Sequence, residues 1–272
     1  MRADLHVHST ASDGSLSPSE LVALACARSV DVLAIADHDS VAGLSEAQSS
    51  AAGCPLTLVP AVELSAVHGA ADIHLLAYFV DPKEPRLLSR LEELRAGRRA
   101  RAVSMVAGLR DGGFGISMDD VLAISNGGAV GRSHVARALV SAGHADSVAG
   151  AFREYIGRGR PFYVAKGGAS PSEVIAFVRS LGAIPVIAHP GITQVDGLIP
   201  EMIEQGLLGI EAYHADHTAE QRAFYADLAV AYGVLVTGGT DYHGPSAPNP
   251  ELGSVDVPVA AVLALLAAGG LY

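Results

Sequence analysis

Short apolar runs that end in histidine or a carboxylate recur along this chain, and they constrain its fold and chemistry more than any other feature. The first lies in Asp4-Leu5-His6-Val7-His8-Ser9. Alternate side chains of a strand share a side. His6 and His8 are therefore expected to face one way, with Leu5 and Val7 facing the other. Two neutral imidazoles a few ångströms apart are a natural pair of metal ligands. Residues 31–36 form a similar run before Asp37-His38-Asp39, and residues 56–62 before Glu63. Residues 184–188 precede His189-Pro190-Gly191, and residues 234–237 precede Gly238-Gly239-Thr240-Asp241-Tyr242-His243. Residues 72–80 read as a further strand carrying His74, and residues 209–212 lead into Tyr213-His214.

Helices separate these strands. Ser17-Pro18-Ser19-Glu20 and Ser170-Pro171-Ser172-Glu173 each combine an N-cap serine, proline at the first helical position and the glutamate of a capping box. Strand and helix in alternation predict a parallel α/β architecture, whose functional groups gather at the C-terminal strand ends. The alternation stops between residues 83 and 162. There the pattern predicts a long helix over 87–109, bearing Arg95, Arg98, Arg99 and Arg101, and short helices over 118–124, 133–141 and 147–156. The chain is thus expected to hold one α/β unit, residues 1–82 and 163–272, with a small helical insertion at 83–162.

Composition narrows the function. The net charge of −11 argues against broad nucleic-acid binding, and no stable duplex-DNA partner is expected, although a local basic pocket is compatible with it. No uncharged apolar run reaches eighteen residues, so no membrane association is expected. The N-terminus shows no basic region followed by an apolar stretch and a cleavage site, so no secretory signal is expected. Cys26 and Cys54 lack C-x-x-C spacing and read as separate thiols in a reducing cytoplasm. Eleven histidines in a Trp-free chain hint at metal chemistry.

Nine polar residues collect at or near the strand ends: His6, His8, Asp13, His38, Glu63, His74, His189, Asp241 and His243. Singly each has an ordinary explanation; His74 reads as a core histidine and Asp13 as a turn former. Together they exceed what one ion can use. With Glu63 as a bridge they suggest two or three ions of manganese, zinc or iron. Such ions activate water and clamp both sides of a phosphoryl transfer. Arg98 and Arg101, three apart on a helix, share a face that either binds phosphate or is simply solvated.

The motifs Asp4-Leu5-His6-Val7-His8-Ser9, Asp37-His38-Asp39, Ala188-His189-Pro190-Gly191 and Gly239-Thr240-Asp241-Tyr242-His243 resemble those of the PHP (polymerase and histidinol phosphatase) superfamily. The segments Gly131-Arg132-Ser133-His134-Val135-Ala136-Arg137 and Gly157-Arg158-Gly159-Arg160-Pro161 resemble its nucleotide phosphoesterases with a helical insertion. The resemblance implies a distorted seven-stranded β/α barrel. It also implies hydrolysis of nucleoside 3',5'-bisphosphates or trimming of short 5'-phosphorylated RNA ends, with a small phosphorylated nucleotide or RNA end as partner. It assigns His6, His8, Glu63 and Asp241 to a first ion. Glu63, His74 and either His189 or His134 would hold a second, with His189 preferred. Asp13, His38 and His243 would hold a third. Arg132 and His134 are then the catalytic and phosphate-recognising pair. Arg98, Arg101, Arg158, Lys166 and His214 are further substrate contacts. Histidinol-phosphate phosphatase, a non-catalytic metal-binding module and an amidohydrolase are the alternatives. The last normally needs a metal-bridging lysine or equivalent where this chain has Glu63.

Overall fold

Seven strands hydrogen-bond in sequence order: β1 (Ala3–Val7), β2 (Val32–Ile35), β3 (Thr57–His68), β4 (Ala71–Tyr78), β5 (Ile184–Ile187), β6 (Gly209–His214) and β7 (Leu235–Gly239). The structure is a computed structural model that describes residues 1–69, 71–245 and 250–272. The first and last strands meet at the rim, where Val7 and Tyr242 form a parallel bridge. There the His8 amide donates to the Tyr242 carbonyl at 2.9 Å, and the Asp241 amide to the His6 carbonyl at 2.9 Å. The sheet is thereby nearly closed into a β/α barrel.

One strand departs from the parallel pattern that the alternation predicts. β4 runs antiparallel to both β3 and β5. Too few residues separate His68 from Ala71 for a crossover helix, so the chain reverses in a hairpin. The reversal matters for the site. His74 lies near the start of β4, opposite Ser65, and so reaches the same mouth as the C-terminal ends of the other strands.

Alternation along each strand sorts the apolar side chains into two layers. Val32, Ala34, Val59, Ala61, Leu76, Tyr78 and Val186 form an inner cluster. Leu33, Ile35, Val62, Leu64, Ile73, Leu75 and Ile187 face outward, where they pack with helical residues such as Leu21, Val22, Ile175 and Val178. The Tyr78 hydroxyl crosses the lumen and donates to the Leu5 carbonyl at 2.9 Å. Helix Val259–Ala268 adds Val262, Leu265 and Leu266 to the inner cluster. The lumen is therefore a packed plug beneath the mouth, and Glu63 and His74 continue the inward-facing series into the mouth.

β1 corrects a detail of the reading. Its pairing with β2 is irregular between Asp4 and Val7, and Leu5 joins the inner cluster while Val7 joins the outer one. Leu5 and Val7 therefore do not share a face, because the extra residue at the irregularity shifts the alternation. His6 and His8 still converge.

Both expected capping boxes form. The Glu20 amide donates to Ser17 Oγ at 3.2 Å and the Ser17 amide to Glu20 Oε2 at 2.7 Å; Ser170 and Glu173 repeat the arrangement. Between the strands of the barrel, helices Pro85–Asp111, Met118–Ser125, Arg132–Ser141 and Val148–Ala151 gather a third cluster around Leu109, Val135 and Leu139. None of its members belongs to the barrel clusters.

The cysteines require a second correction. Cys26 and Cys54 are joined in a disulfide, with their Cα atoms 6.3 Å apart. The helix ending at Ala27 packs beside the helix Leu44–Ala51, and this brings together two residues distant in sequence. The inference of a reducing compartment from unpaired thiols loses its basis. Among the described residues no helix is long and apolar enough to cross a membrane.

Two outcomes follow for stability. Buried Asp4 ties β1 to the far end of the chain: Oδ1 accepts from the Thr240 amide at 2.9 Å, and Oδ2 from the Thr240 hydroxyl at 2.6 Å and the Gly253 amide at 2.8 Å. Asp4→Ala leaves these buried donors unpaired and should cost about 3 kcal/mol in urea unfolding. A loss below about 1 kcal/mol would show that the rim closes without it. The disulfide closes a loop of 28 residues. The chain-entropy argument then gives about 3–4 kcal/mol, so Cys26→Ser with Cys54→Ser should lower the melting temperature by several degrees. An unchanged melt would remove the bond from the stability of the fold.

Candidate metal centre

Glu63 occupies the middle of the barrel mouth. β3 outruns its partner β2 there, and the backbone is anchored to the loop after β2, with the Asp39 amide donating to the Glu63 carbonyl at 2.9 Å. The carboxylate is buried among imidazoles. Oε1 lies 2.8 Å from His74 Nδ1 and 3.1 Å from His189 Nε2. Oε2 lies 2.7 Å from His38 Nδ1, 3.3 Å from His8 Nε2 and 3.5 Å from His6 Nε2. Burial pushes this carboxyl up, but His38, His74 and His6 outweigh it and hold it well below the usual carboxylate range.

The other expected ligands complete the ring. His8 Nε2 is 2.9 Å from Asp241 Oδ1, and His243 Nε2 is 3.2 Å from Asp13 Oδ1. The His8 and His243 rings stack with centroids 4.2 Å apart. Ligand atoms fall into four overlapping groups: His8, Asp13, His38 and His243; His6, His8 and Asp241; His6, Glu63 and His189; His38, Glu63 and His74. All nine expected residues are therefore together. Their grouping differs from the one the resemblance implied: His8 also joins Asp13, His38 and His243, and the two Glu63 groups pair His6 with His189 and His38 with His74.

These atoms fit divalent cations better than they fit one another. Asp13 Oδ1, Glu63 Oε2 and the Nδ1 atoms of His38, His74 and His189 are buried without a hydrogen-bond partner. His38 Nδ1 and Glu63 Oε2 are only 2.7 Å apart, yet they are not aligned to share a hydrogen. His6 Nε2 and His8 Nε2 approach to 3.1 Å, an approach that needs a proton or a cation between their lone pairs. Burial pushes the His74 imidazole down to about 3. Burial and the neighbouring His243 push His8 down to about 4. Both therefore stay neutral, the ligating form. Burial disfavours protonation of His243 too, but Asp13 and Asp241 outweigh it and hold that ring up at about 10.

Unusual backbone aims several of these groups. Asp39, His189 and Asp241 have φ of 49°, 30° and 52°, in the left-handed region that non-glycine residues adopt at a cost of order 1–3 kcal/mol. Each is held from outside. Asp39 accepts from the Ser65 amide and hydroxyl, the His189 amide donates to Glu211, and the Asp241 amide donates to the His6 carbonyl. Asp37 likewise holds the loop after β1, accepting from the Ser9 amide and from the Ser9 and Ser12 hydroxyls.

A cationic group, Arg98, Arg101, Arg132 and Lys166, lines one cavity together with Asp13, His38, His74 and Asp72. The arginine face of the long helix is thus turned into a cleft, not into solvent. Arg98 bonds Asp39 and donates to Ser65 Oγ at 2.8 Å. Arg101 donates to the Val164 carbonyl at 2.8 Å, and Arg132 lies 3.0 Å from Asp72 and over the Phe152 ring. Burial and Arg98 push the Lys166 ammonium down to about 7.

Three expected residues lie elsewhere. His134 is buried, and its Nδ1 accepts from the Gly131 amide at 3.0 Å, capping the helix that begins at Arg132. Arg158 is exposed. His214 is fully buried behind His6 and His189. None of the three lines the cavity. Glu211, absent from the residues expected at the site, places its carboxylate 3.0 Å from His6 Nδ1. Its only signal was a charged residue inside an otherwise apolar strand.

Residues 4–94 match the family model described as PHP domain. A 3',5'-nucleoside bisphosphate phosphatase of Chromobacterium violaceum is 33% identical over 259 residues, covering 93% of this chain and 91% of the relative. A 5'-3' exoribonuclease of Haemophilus influenzae is 35% identical over 247 residues, covering 89% and 90%. The crystal structure of a protein described as a metal-dependent phosphoesterase, from Bifidobacterium adolescentis, superposes with a TM-score of 0.91 at 34% identity, covering 98% of this chain and 96% of that one. The chain belongs to the PHP-domain family and is a metal-dependent phosphoesterase, a hydrolase of phosphoric ester bonds.

Proposed function

We propose that the cleft takes nucleotides that carry a second phosphate. These are nucleoside 3',5'-bisphosphates, which lose the 3'-phosphate to give nucleoside 5'-monophosphates, and short RNA with a 5'-phosphate. One observation carries this reading: the ligand ring and a separate group of cations, Arg98, Arg101, Arg132 and Lys166, line the same cavity. A small substrate with a single phosphate has no use for the second group. The names of the Chromobacterium and Haemophilus relatives point to the same two substrate types.

The nine residues of the ring would hold two or three ions of manganese, zinc or iron, with Glu63 shared between them. Such ions supply a water of lowered pKa and positive charge against the phosphoryl oxygens. The protein's own side chains do the rest. Arg98 is committed to Asp39 and Ser65, and so shapes the wall. Among the described residues Arg132 lies against one carboxylate, Asp72, which Arg101 shares at 3.4 Å, and it presents a planar fork suited to phosphate. Lys166 sits near its neutral point, and a phosphate dianion beside it would hold its proton in place. Phe152, Ala102 and Met105 line the same cavity from the helical insertion and keep water from the bound ribose. His134 fixes the start of the helix that carries Arg132.

Phosphate release from adenosine 3',5'-bisphosphate, AMP and histidinol phosphate, and release of nucleoside 5'-monophosphates from a 5'-phosphorylated short RNA, with added manganese, test this reading. The bisphosphate or the RNA should turn over fastest. A wide margin for histidinol phosphate would contradict the reading, as would metal binding with no turnover of any substrate. Arg132→Ala removes a charge-assisted contact of about 1.5–3 kcal/mol and should lower kcat/KM for the bisphosphate by about 10–150-fold, with metal content intact. Loss of metal in that variant would contradict the division between ligand ring and cationic group.

A further inference from the structure

Six of the seven strands deliver expected ligands to the mouth: β1 carries His6, β3 Glu63 and β4 His74, and the loops after β2, β5 and β7 carry His38, His189 and Asp241 with His243. β6 delivers none among the described residues, yet it places two buried titratable side chains, Glu211 and His214, directly behind the ring. We propose that β6 is a positioning strand, which fixes the tautomer and aim of ligands on both of its neighbours. The inference rests on the metal-centre reading above.

Glu211 makes the first connection. Oε1 lies 3.0 Å and Oε2 3.2 Å from His6 Nδ1, and Oε2 also accepts from the His189 amide at 2.8 Å. A carboxylate here only accepts, so the His6 proton sits on Nδ1 and the Nε2 lone pair faces Glu63, His8 and Asp241. The same carboxylate holds the backbone of His189, whose φ of 30° needs an external tie. One side chain thus sets a ring on β1 and a strained residue after β5.

His214 makes the second. Its Nδ1 accepts from the Asp216 amide at 3.1 Å, which places the ring proton on Nε2. That Nε2 lies 3.8 Å from Asp241 Oδ2, beyond hydrogen-bond distance but close enough for an electrostatic contact. With Glu211 at its centre and His214 at its end, β6 therefore reaches His6, His189 and Asp241. Neither residue lines the substrate cavity, so neither touches substrate.

The test uses the full chain, stripped with chelator and titrated with manganese chloride by calorimetry, with metal content read by elemental analysis. Glu211→Gln keeps the side-chain volume and an oxygen for the His189 amide but no longer fixes the His6 proton. Manganese affinity should fall 10–100-fold while the circular dichroism of the metal-free protein is unchanged. The absorption of the cobalt-substituted protein, which reports ligand geometry, should also change. A Glu211→Gln variant with wild-type affinity and an unaltered cobalt spectrum overturns the proposal. Should that variant not fold, His214→Asn decides. Its amide oxygen can replace Nδ1 toward the Asp216 amide, and the ring N–H near Asp241 is lost. Weaker manganese binding is expected, and wild-type binding overturns the proposal. Failure of the unsubstituted chain to bind manganese would overturn the metal-centre reading itself, and this inference with it.

Discussion

A single buried carboxylate surrounded by imidazoles sets the problem that the rest of the structure solves. Glu63 is almost fully withdrawn from water, with one oxygen against His74 and His189 and the other against His38, His8 and His6. Burying one charge and several polar rings is costly unless they are paired. The neutral rings of His8 and His74, with unshared lone pairs, cannot satisfy one another. Divalent cations satisfy all of them at once. The mouth is therefore a site whose internal repulsions are relieved by what it binds.

Holding such a site requires rigid support on every side. The inner apolar plug and Tyr78 keep the lumen filled below it. Buried Asp4, Asp37 and Asp39 tie the loops to the strand ends, each spending its oxygens on neighbouring amides and hydroxyls. Gly239 leaves no space for a side chain, since an added Cβ would lie 2.6 Å from the His6 backbone nitrogen. The rim between first and last strands can close only around glycine there. Precision at the ligands is thus built from second-layer carboxylates and close backbone contact, not from the ligands alone.

Much of this was legible in the chain. Short apolar runs locate the strands, and serine-proline-serine-glutamate locates two helices to within a residue. The residues after those runs named the ring, because parallel strands in a barrel send their C-terminal ends to one face. What the chain did not disclose has physical reasons. The reversal of β4 follows from a hairpin between two strands that each read as an ordinary strand. The irregularity in β1 moves Leu5 without leaving a mark in composition. Cys26 and Cys54 meet only because two helices pack side by side. Glu211 and His214 act across strands, so no local spacing announces them. His134 and His214 read as substrate contacts by type and neighbourhood; both rings are buried and neither lines the cavity.

Glu63 shared between cations is the centre of the site, and crystallography tests this most directly. Crystals grown with manganese should show two anomalous difference peaks beside the Glu63 carboxylate, one near His38 and His74 and another near His6 and His189. A map without a peak at Glu63 would contradict the account.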